Sequence, residues 1–452
     1  MKNLLTLLLT TLTLTATLSQ AQWSEVGGFN SLAANSGINA ICTDKYNNLY
    51  AAGNFTNASG NYYVAKFNGT TWSELGGLNA LAANNFILTI TSDSLGNVFA
   101  AGRFTNTSGN RYVAKWDGFN WTELGGLNSL AANGDIKTMH IDKNQNLHVG
   151  GFFTNANNNC YVAQWIGGGW AELGGANSLA ANNGIAAISS DGVGNIFTAG
   201  LFQNLSSSYY VAKYNGVIWQ ELGLGANSLS ANALISSIMT NSFGDVFCTG
   251  SFTNTAGNKF VAKWDGVNWS EYGGANSLAA TLPIRDLEIN YIDSVYCAGY
   301  LLNMNSNTYV AEYNNGIWQE LGGINSFPVN GLVVTICTDH LNNVYAAGGL
   351  TNSLGNNYVA KYSYPNSIIE NQNGLSFSAY PNPALDYLQI VLSIKDSINI
   401  GIENTLGEVI LKKIDVKQSN LQIDVSSLEP GIYFLTVSNK NKSVTKKFIK
   451  TN

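Results

Sequence analysis

One unit of about 49 residues recurs along most of this chain, and the repeat constrains the fold more than any other feature. Each copy opens on a tryptophan, and consecutive tryptophans are 49 residues apart, or once 50: Trp23, Trp72, Trp121, Trp170, Trp219, Trp269 and Trp318. A fixed period of this length is typical of solenoids and propellers, in which each unit buries its apolar face against its neighbours. The sequence therefore predicts an array of like units.

Each unit contains four strand-like segments, which in the second copy span residues 87–92, 97–104, 112–116 and 121–124. Four short strands in about 50 residues are typical of one β-propeller blade. Dipeptides such as Asp117-Gly118 join the third and fourth segments, and they accept the positive φ of a tight hairpin turn. We therefore predict an all-β fold made of four-stranded antiparallel blades.

The two ends of the array predict how it closes. The chain starts with a lone fourth strand at residues 23–28, and the last copy stops after its third strand at residues 358–362. An open array leaves both edges unpaired, and unpaired edges invite aggregation. A ring in which the first strand completes the last blade removes both edges. We predict a seven-bladed β-propeller over residues 22–364, closed by its N-terminal strand.

The segment before the first repeat has the pattern of a signal peptide. Residues 1–21 combine Lys2, an apolar run over residues 4–18 and a small residue at Ala21. We expect the mature protein to begin at Gln22. No other stretch approaches the ~20 apolar residues of a transmembrane helix. The net charge of −6, without a clustered basic face, argues against nucleic acid as a partner.

A second domain follows the repeats. Residues 365–375 form a polar connector, and after it the repeat is absent. Residues 376–452 contain six runs of alternating apolar and polar residues, which predict a small antiparallel, Ig-like β-sandwich.

Short motifs in this second domain carry a resemblance to a known family. They contain the residues Tyr380, Pro381, Asn382, Pro383, Gly407, Gly431 and Tyr433, and the chain ends on a Lys-rich segment. In order and spacing they resemble the type A C-terminal sorting domain of the type IX secretion system (Por) in Bacteroidota. The resemblance implies Sec export, the type IX machinery as a partner, and a location at the outer cell surface or outside the cell. It also implies that the domain is commonly cleaved off.

The repeat itself is loosely similar to kelch-like surface propellers of Bacteroidota, and that similarity implies no activity. Cysteine positions leave a smaller question open. Cys42 and Cys337 share one repeat position, and Cys248 and Cys297 share another. We expect free thiols, because neighbouring blades seldom bring two Cα atoms within ~7 Å, with a disulfide in either pair as the alternative.

Two acidic residues recur at fixed positions of the repeat, and we call each set of equivalent residues a column. A glutamate such as Glu74 or Glu123 appears in every copy, and a lysine such as Lys66 or Lys115 recurs on the neighbouring strand. We predict cross-strand ion pairs between them, with paired catalytic carboxylates as the alternative. An aspartate column that includes Asp44 is predicted to cap hairpin turns, with cation binding as the alternative.

Two rings of asparagines form the candidate ligand face. The first ring includes Asn30, Asn79 and Asn128, and the second includes Asn57, Asn106, Asn155 and Asn254. Both rings fall in loops predicted to emerge at one end of the propeller. Asparagine amides donate to and accept from sugar hydroxyls. They also stabilise turns, and both interpretations stay open at this point.

Charged residues that break the repeat are candidates for a specific site. Arg285, Asp286 and Glu288 fall in the first strand of the sixth blade, and His140 falls in that of the third, near Lys137. We expect them near the central channel, either as a charged site or as neutral drift with charge pairing. His140 and His148 are expected to be separately hydrogen-bonded rather than metal ligands. The sequence contains no motif that predicts a metal or cofactor.

Three functions follow as hypotheses. The preferred one is a non-catalytic binding or adhesion module for glycan or protein at the bacterial surface. The second is a secreted polysaccharide-degrading enzyme that uses the charged residues of the third and sixth blades. The third is a structural component of the surface or matrix.

Overall fold

The structure is a computed structural model that describes residues 22–327, 331–364, 377–380, 382–392, 398–416, 420–439 and 443–451. The predicted signal peptide and the predicted connector lie outside the described residues. Within them the regular structure is β-strand, apart from two single 3-10 turns at Gly77–Asn79 and Gly225–Asn227.

Twenty-eight strands belong to the repeats. The N-terminal strand and the first three blades contain β1 (Gln22–Glu25), β2 (Ile38–Thr43), β3 (Leu49–Thr56), β4 (Tyr62–Phe67), β5 (Trp72–Glu74), β6 (Ile87–Ser92), β7 (Val98–Gly102), β8 (Ala114–Trp116), β9 (Trp121–Glu123), β10 (Ile136–Ile141), β11 (Leu147–Gly151), β12 (Ala163–Trp165) and β13 (Trp170–Glu172). The remaining blades contain β14 (Ile185–Ser190), β15 (Ile196–Gly200), β16 (Ala212–Tyr214), β17 (Trp219–Glu221), β18 (Ile235–Thr240), β19 (Val246–Gly250), β20 (Ala262–Trp264), β21 (Trp269–Glu271), β22 (Ile284–Ile289), β23 (Val295–Gly299), β24 (Ala311–Asn314), β25 (Ile317–Glu320), β26 (Val333–Thr338), β27 (Val344–Gly348) and β28 (Ala360–Ser363).

These strands form seven four-stranded antiparallel sheets, as the repeat predicts. Six sheets take four consecutive strands in chain order, from β2-β3-β4-β5 to β22-β23-β24-β25. The seventh has the order β1-β28-β27-β26, in which Trp23 pairs with Tyr362. The N-terminal strand thus completes the last blade.

The first strands of consecutive blades contact one another in order, and β26 of the seventh blade contacts β2 of the first. One apolar cluster joins these two blades, with Ile38 and Ala51 on one side and Tyr345 and Ala347 on the other. Around the ring, each blade therefore packs against the next, and the last packs against the first.

In six of the seven blades the second strand is buried along its whole length, and in the first blade only Asn54 and Thr56 of β3 are half-buried, because this strand packs against a neighbouring blade on both faces. In β7 the residues Val-Phe-Ala-Ala-Gly are all buried. Gly102 ends this strand where a Cβ atom would lie 2.3 Å from the carbonyl oxygen of Phe86, so only glycine fits. Small residues let the blades approach, and the aromatic residue fills the space between them.

Two aromatic columns face each other on the third and fourth strands. Trp116 pairs with Trp121 at 5.9 Å between ring centroids, and Phe67 pairs with Trp72 at 5.4 Å. The indole Nε1 of Trp121 also donates to the carbonyl of Leu75 in the preceding blade. The two columns therefore pack the strands within a blade and tie each blade to the one before it.

The C-terminal domain contains seven described strands: β29 (Phe377–Tyr380), β30 (Tyr387–Leu392), β31 (Ile398–Asn404), β32 (Val409–Val416), β33 (Asn420–Asp424), β34 (Gly431–Ser438) and β35 (Ser443–Lys450). They form two antiparallel sheets, β29-β30-β33 and β32-β31-β34-β35. Leu388 and Ile390 of the first sheet share one buried core with Ile400 and Leu435 of the second. The predicted sandwich is confirmed, and β29 is a strand that the sequence pattern did not reveal.

All five cysteines are free thiols, as expected. Burial raises the pKa of the Cys42, Cys248, Cys297 and Cys337 thiols well above the usual range. These thiols act as small buried side chains.

Candidate functional site

The antiparallel order of each blade places its connections at two ends of the ring. Turns between first and second strands lie at one end, which we call the turn face. Loops between second and third strands lie at the other end, which we call the loop face. The loops that lead from a fourth strand to the next blade join the loop face, because Asn30 accepts hydrogen bonds from Asn352 and Asn356 there.

Aspartates cap the turns of the turn face, and the predicted role in hairpin capping is confirmed. The carboxylate of Asp44 accepts hydrogen bonds from the backbone N–H groups of Tyr46 and Asn48 and from the hydroxyl of Tyr50. Asp93, Asp142, Asp191 and Asp339 bind their own turns in the same way. These carboxylates are engaged within the turns.

The second asparagine ring is built into the loop face. In the second blade, Asn106 Nδ2 donates to both carboxylate oxygens of Glu123, at 3.0 and 3.2 Å. The side-chain oxygen Oδ1 of Asn106 accepts from the backbone N–H groups of Ser108 and Asn110. Asn57, Asn155 and Asn254 make the equivalent contacts with Glu74, Glu172 and Glu271. Each of these amides therefore clamps a loop onto the fourth strand of its own blade.

The predicted Glu–Lys ion pairs are wrong. Glu123 pairs in register with Ala114, whereas Lys115 pairs with Thr122. Successive residues of a strand point to opposite faces of the sheet, so the carboxylate and the ammonium group lie on different sides. Among the described residues the ion pairs are Arg103–Asp135, Arg111–Asp135 and Lys263–Asp245, and none joins the two columns.

The lysine column has an aromatic partner instead. The ammonium of Lys115 lies 5.9 Å from the ring centroid of Phe99, and that of Lys66 lies 5.7 Å from Tyr50. Lys213, Lys263 and Lys361 lie over the corresponding rings of their own blades. Cation–π attraction at such sites contributes ~0.5–1 kcal/mol. The lysines thus hold the third strand against the second.

The asparagines of the first ring take two different backbone conformations. Asn30 and Asn128 take the left-handed conformation, with φ of 58° and 59°, as do Asn177, Asn276 and Asn325. Asn128 accepts from Asn106 and Asn110 and donates to the hydroxyl of Ser108. Asn79 instead ends a 3-10 turn and donates to the carbonyl of Phe119 in the next blade. Each asparagine that the sequence singled out in the two rings therefore takes part in turn or loop hydrogen bonds, and its role in ligand binding stays a prediction.

An exposed apolar residue precedes the left-handed asparagine in several blades. Phe29 is 64% exposed, Leu127 64% and Ile324 79%, and each follows a Gly-Gly pair of positive φ. Asparagine side chains of the neighbouring loop lie directly beside this position. The loop face thus presents an apolar side chain and an amide side by side at three positions around the ring.

The charged residues of the sixth blade occupy the inner strand β22. The Asp286 carboxylate accepts from the Ser237 hydroxyl and from the backbone N–H groups of Leu287 and Ile336. Glu288 accepts from the hydroxyl and the backbone N–H of Thr338 in the seventh blade. Burial, with the nearby Asp286 charge, raises the pKa of Glu288 to about 8, and burial also raises that of Asp286. Both carboxyls link this blade to its neighbours.

His140 and His148 pair directly across strands β10 and β11 of the third blade. His140 Nε2 lies 2.7 Å from the Ser190 hydroxyl in the next blade, and burial lowers the pKa of His140 to about 4. His148 is buried, and its Nε2 lies 3.2 Å from the carboxylate of Asp142. Tyr50 makes the equivalent contact with Asp44 in the first blade. Each histidine thus has a hydrogen-bonding partner of its own, as expected.

A buried acid–phenol network was missed from the sequence. Tyr364 donates to Glu312, and the hydroxyls of Tyr364 and Tyr296 lie 2.8 Å apart. Burial raises the pKa of the Glu312 carboxyl. Glu312 stands in the lysine column, so the signal available in the sequence was a glutamate where other copies carry lysine. Tyr364 thereby anchors the end of the last blade onto the sixth.

Within the described ranges, no three His, Cys, Asp or Glu side chains gather in a way that would hold a metal ion. In the same ranges, no helix has the length and apolar character needed to cross a membrane.

The motif residues of the C-terminal domain stabilise its turns and strand ends. The side-chain oxygen Oδ1 of Asn382 accepts from the backbone N–H of Ile449 at 2.8 Å, and Pro383 follows Asn382 in the chain. Tyr433 stacks on Phe448 and donates to the carbonyl of Glu429. Gly407 lies in a turn with φ of 81°, Gly431 begins β34, Tyr380 ends β29, and Pro381 lies outside the described residues.

The C-terminal domain matches a known protein family. Residues 378–451 match the model described as "Secretion system C-terminal sorting domain". A comparison with curated proteins finds no match.

Several solved structures are similar to the chain. A lectin from Aleuria aurantia is 15% identical, covering 62% of this chain and 93% of its own, with a TM-score of 0.40. The protein AofleA from Arthrobotrys oligospora is 15% identical, covering 66% and 88%, with a TM-score of 0.39. A gluconolactonase from Xanthomonas campestris is 10% identical, covering 62% and 83%, with a TM-score of 0.34.

The described strands and the family match together classify the molecule. The chain is a β-propeller followed by a secretion-system C-terminal sorting domain, and the type IX system exports it to the cell surface or outside the cell.

Proposed function

We propose that the propeller is a non-catalytic, multivalent glycan-binding module, displayed at the cell surface or released from it. The observation that carries this proposal is the repeated surface of the loop face, where an exposed apolar side chain stands beside a fixed asparagine. Leu127 next to Asn128 is one example.

A sugar ring has an apolar face and a rim of hydroxyls, so it matches such a surface. The apolar side chain covers the ring face, and the amide exchanges hydrogen bonds with the hydroxyls. The asparagine needs little reordering on binding, because internal hydrogen bonds already hold its loop. One such contact is weak, since the surface is shallow.

Repetition around the ring compensates for weak single contacts. A polysaccharide presents the same sugar many times, so several blades bind one chain together. Linked sites of this kind exceed the affinity of one site by roughly 10²–10⁴-fold. Export to the outside of the cell places the module where polysaccharides are found.

The test uses the mature chain from Gln22 with immobilised dextran, xylan, polygalacturonate and chondroitin sulfate. The expected result is saturable binding to at least one of them, with no shorter product released. Release of product would instead support a polysaccharide-degrading enzyme. Absence of binding to every glycan would contradict the proposal.

A matched pair of variants locates the binding surface. Phe29→Ser, Leu127→Ser and Ile324→Ser together remove three apolar contacts from the loop face. The control combines Leu95→Ser, Val193→Ser and Phe243→Ser, which remove equally exposed residues from the turn face. We expect at least a tenfold loss of affinity in the first variant and less than a twofold loss in the control. An equal loss in both would contradict binding at the loop face.

A further inference from the structure

Each inner strand carries a β-bulge at its second residue. In the third blade Ile136 pairs with Gly151 and Thr138 with Gly150, which leaves Lys137 as the extra residue. In the sixth blade the same irregularity leaves Arg285. The other blades place uncharged residues there: Asn39, Leu88, Ala186, Ser236 and Val334.

The bulge residues lie along the loop-face ends of the inner strands, which we call the inner rim. Asn39 donates across the rim to the Ile87 carbonyl of the second blade, and Ser236 donates to the Ile284 carbonyl of the sixth. Lys137 and Arg285 are both exposed at the same register position. The inner rim therefore displays two cations that the repeat does not require.

Neither cation has an acidic partner. No ion pair involves Lys137 or Arg285 in the part of the chain that the structure describes. The nearby Asp135 is bound to Arg103 and Arg111. Asp286 is occupied by Ser237 and two backbone N–H groups. Among the described residues, neither cation is therefore held in an ion pair, and the carboxylates of Asp286 and Asp135 act on Lys137 only from beyond ion-pair distance.

The two cations also act on each other. Desolvation by the surrounding protein, and then the charge of Arg285, lower the pKa of Lys137, and the charges of Asp286 and Asp135 offset this only in part. Their blades, the third and the sixth, are three positions apart in the ring of seven, and the charge of Arg285 acts on Lys137 across the space that the inner strands enclose. An anion between them would relieve the repulsion.

We propose that Lys137 and Arg285 form an anion-binding site at the inner rim, which takes a carboxylate or sulfate group of an acidic glycan. This inference rests on the proposed function and names the class of glycan. The Arg285 guanidinium lies 5.7 Å from the ring centroid of Tyr300, which holds it in place while its N–H donors stay available.

A groove next to this site has room for part of a sugar. It has a volume of about 330 Å³ and is lined by Tyr300, Leu302, Ser306, Thr308 and Leu332 among others. An aromatic ring and two hydroxyls there suit the apolar face and hydroxyls of a sugar. The anion site and the groove share Tyr300, so one acidic sugar contacts both.

The test compares the mature protein with the variant Lys137→Ala/Arg285→Ala, using polygalacturonate, chondroitin sulfate and neutral dextran as probes. Two other blades already place Ala186 and Val334 at this position, so the variant is expected to fold. The control is Lys45→Ala/Lys143→Ala, which removes two exposed lysines from the turn face. We expect at least a tenfold loss of acidic-glycan affinity in the first variant and less than twofold in the control.

A second measurement keeps the site testable without any glycan. Sulfate that binds the folded state raises its melting temperature, and general salt effects are common to both proteins. Sodium sulfate should raise the melting temperature of the wild type by more than it raises that of Lys137→Ala/Arg285→Ala.

Equal binding of acidic and neutral glycans by both proteins would overturn the anion site and leave glycan binding intact. If no glycan binds, the proposed function fails, and the sulfate measurement alone decides whether the anion site exists. An equal gain from sulfate in both proteins would then exclude it.

Discussion

Replacing Trp23 by alanine tests the packing of the N-terminal strand. Trp23 is 3% exposed, and its Nε1 donates to the Leu321 carbonyl at 3.1 Å. Its ring lies 4.6 Å from Phe327 and 5.4 Å from Tyr362 between centroids. No hairpin ties β1 to the rest of its blade, so these contacts hold the strand.

Trp121 provides the matched control. It stands at the same repeat position and donates to the Leu75 carbonyl at 3.1 Å, but its ring is only half-buried. Leu81 takes the place of Phe327 beside its ring. Removing a fully buried Trp costs ~3–5 kcal/mol. Removing the half-buried Trp121 should cost about 2 kcal/mol, because part of its ring is already in water.

The assay is the thermal midpoint of the propeller in the mature chain. At roughly 2 °C per kcal/mol for a domain of this size, Trp23→Ala should lower the midpoint by about 6–10 °C and Trp121→Ala by about 4 °C. A fall for Trp121→Ala that equals or exceeds the fall for Trp23→Ala would refute the reasoning.

Four further predictions concern the Asn106–Glu123 clamp, two buried titratable groups and export. Glu123→Ala should lower stability by ~1–3 kcal/mol in thermal melts, and Glu123→Gln by less, because Asn106 loses its acceptor. Because the pKa of Glu288 is raised in the folded protein, the unfolded chain loses a proton between about pH 4.5 and 8 that the folded protein keeps, and the free energy of unfolding falls as the pH rises. Glu288→Gln should therefore be more stable relative to wild type at pH 8 than at pH 5. Because the pKa of His140 is lowered in the folded protein, the unfolded chain binds a proton between about pH 6.5 and 4 that the folded protein does not bind. His140→Thr should therefore lose less stability than wild type on acidification. An unchanged pH dependence of stability would contradict this. Deleting residues 380–452 in a type IX-competent host should leave the protein in the periplasm, and its continued presence at the cell surface would contradict the assigned route.

The repeat made the strands and the last blade predictable from sequence. Seven copies present the same turn dipeptides and apolar positions, so a local ambiguity in one copy is resolved by the others. The segment 87–92 was placed to the residue as β6, and the pairing of Trp23 with Tyr362 followed from the two incomplete ends.

Side-chain partners were less predictable, because a column of like residues does not reveal strand register. Glu123 and Lys115 belong to adjacent strands, but an offset of one residue places them on opposite faces. The carboxylate binds Asn106 across a loop instead, a partner 17 residues away in sequence. Contacts between blades, such as Glu288 with Thr338, depend on ring packing that no single copy encodes.

The most direct test of the central claim, multivalent binding by repeated weak sites, compares a polysaccharide with its own short fragment. The mature chain is titrated with the best-bound polysaccharide of the panel and with the trisaccharide cut from it. Linked binding at several blades predicts at least a 100-fold higher affinity for the polymer. Equal affinity for the two, at one site per molecule, would contradict multivalent binding.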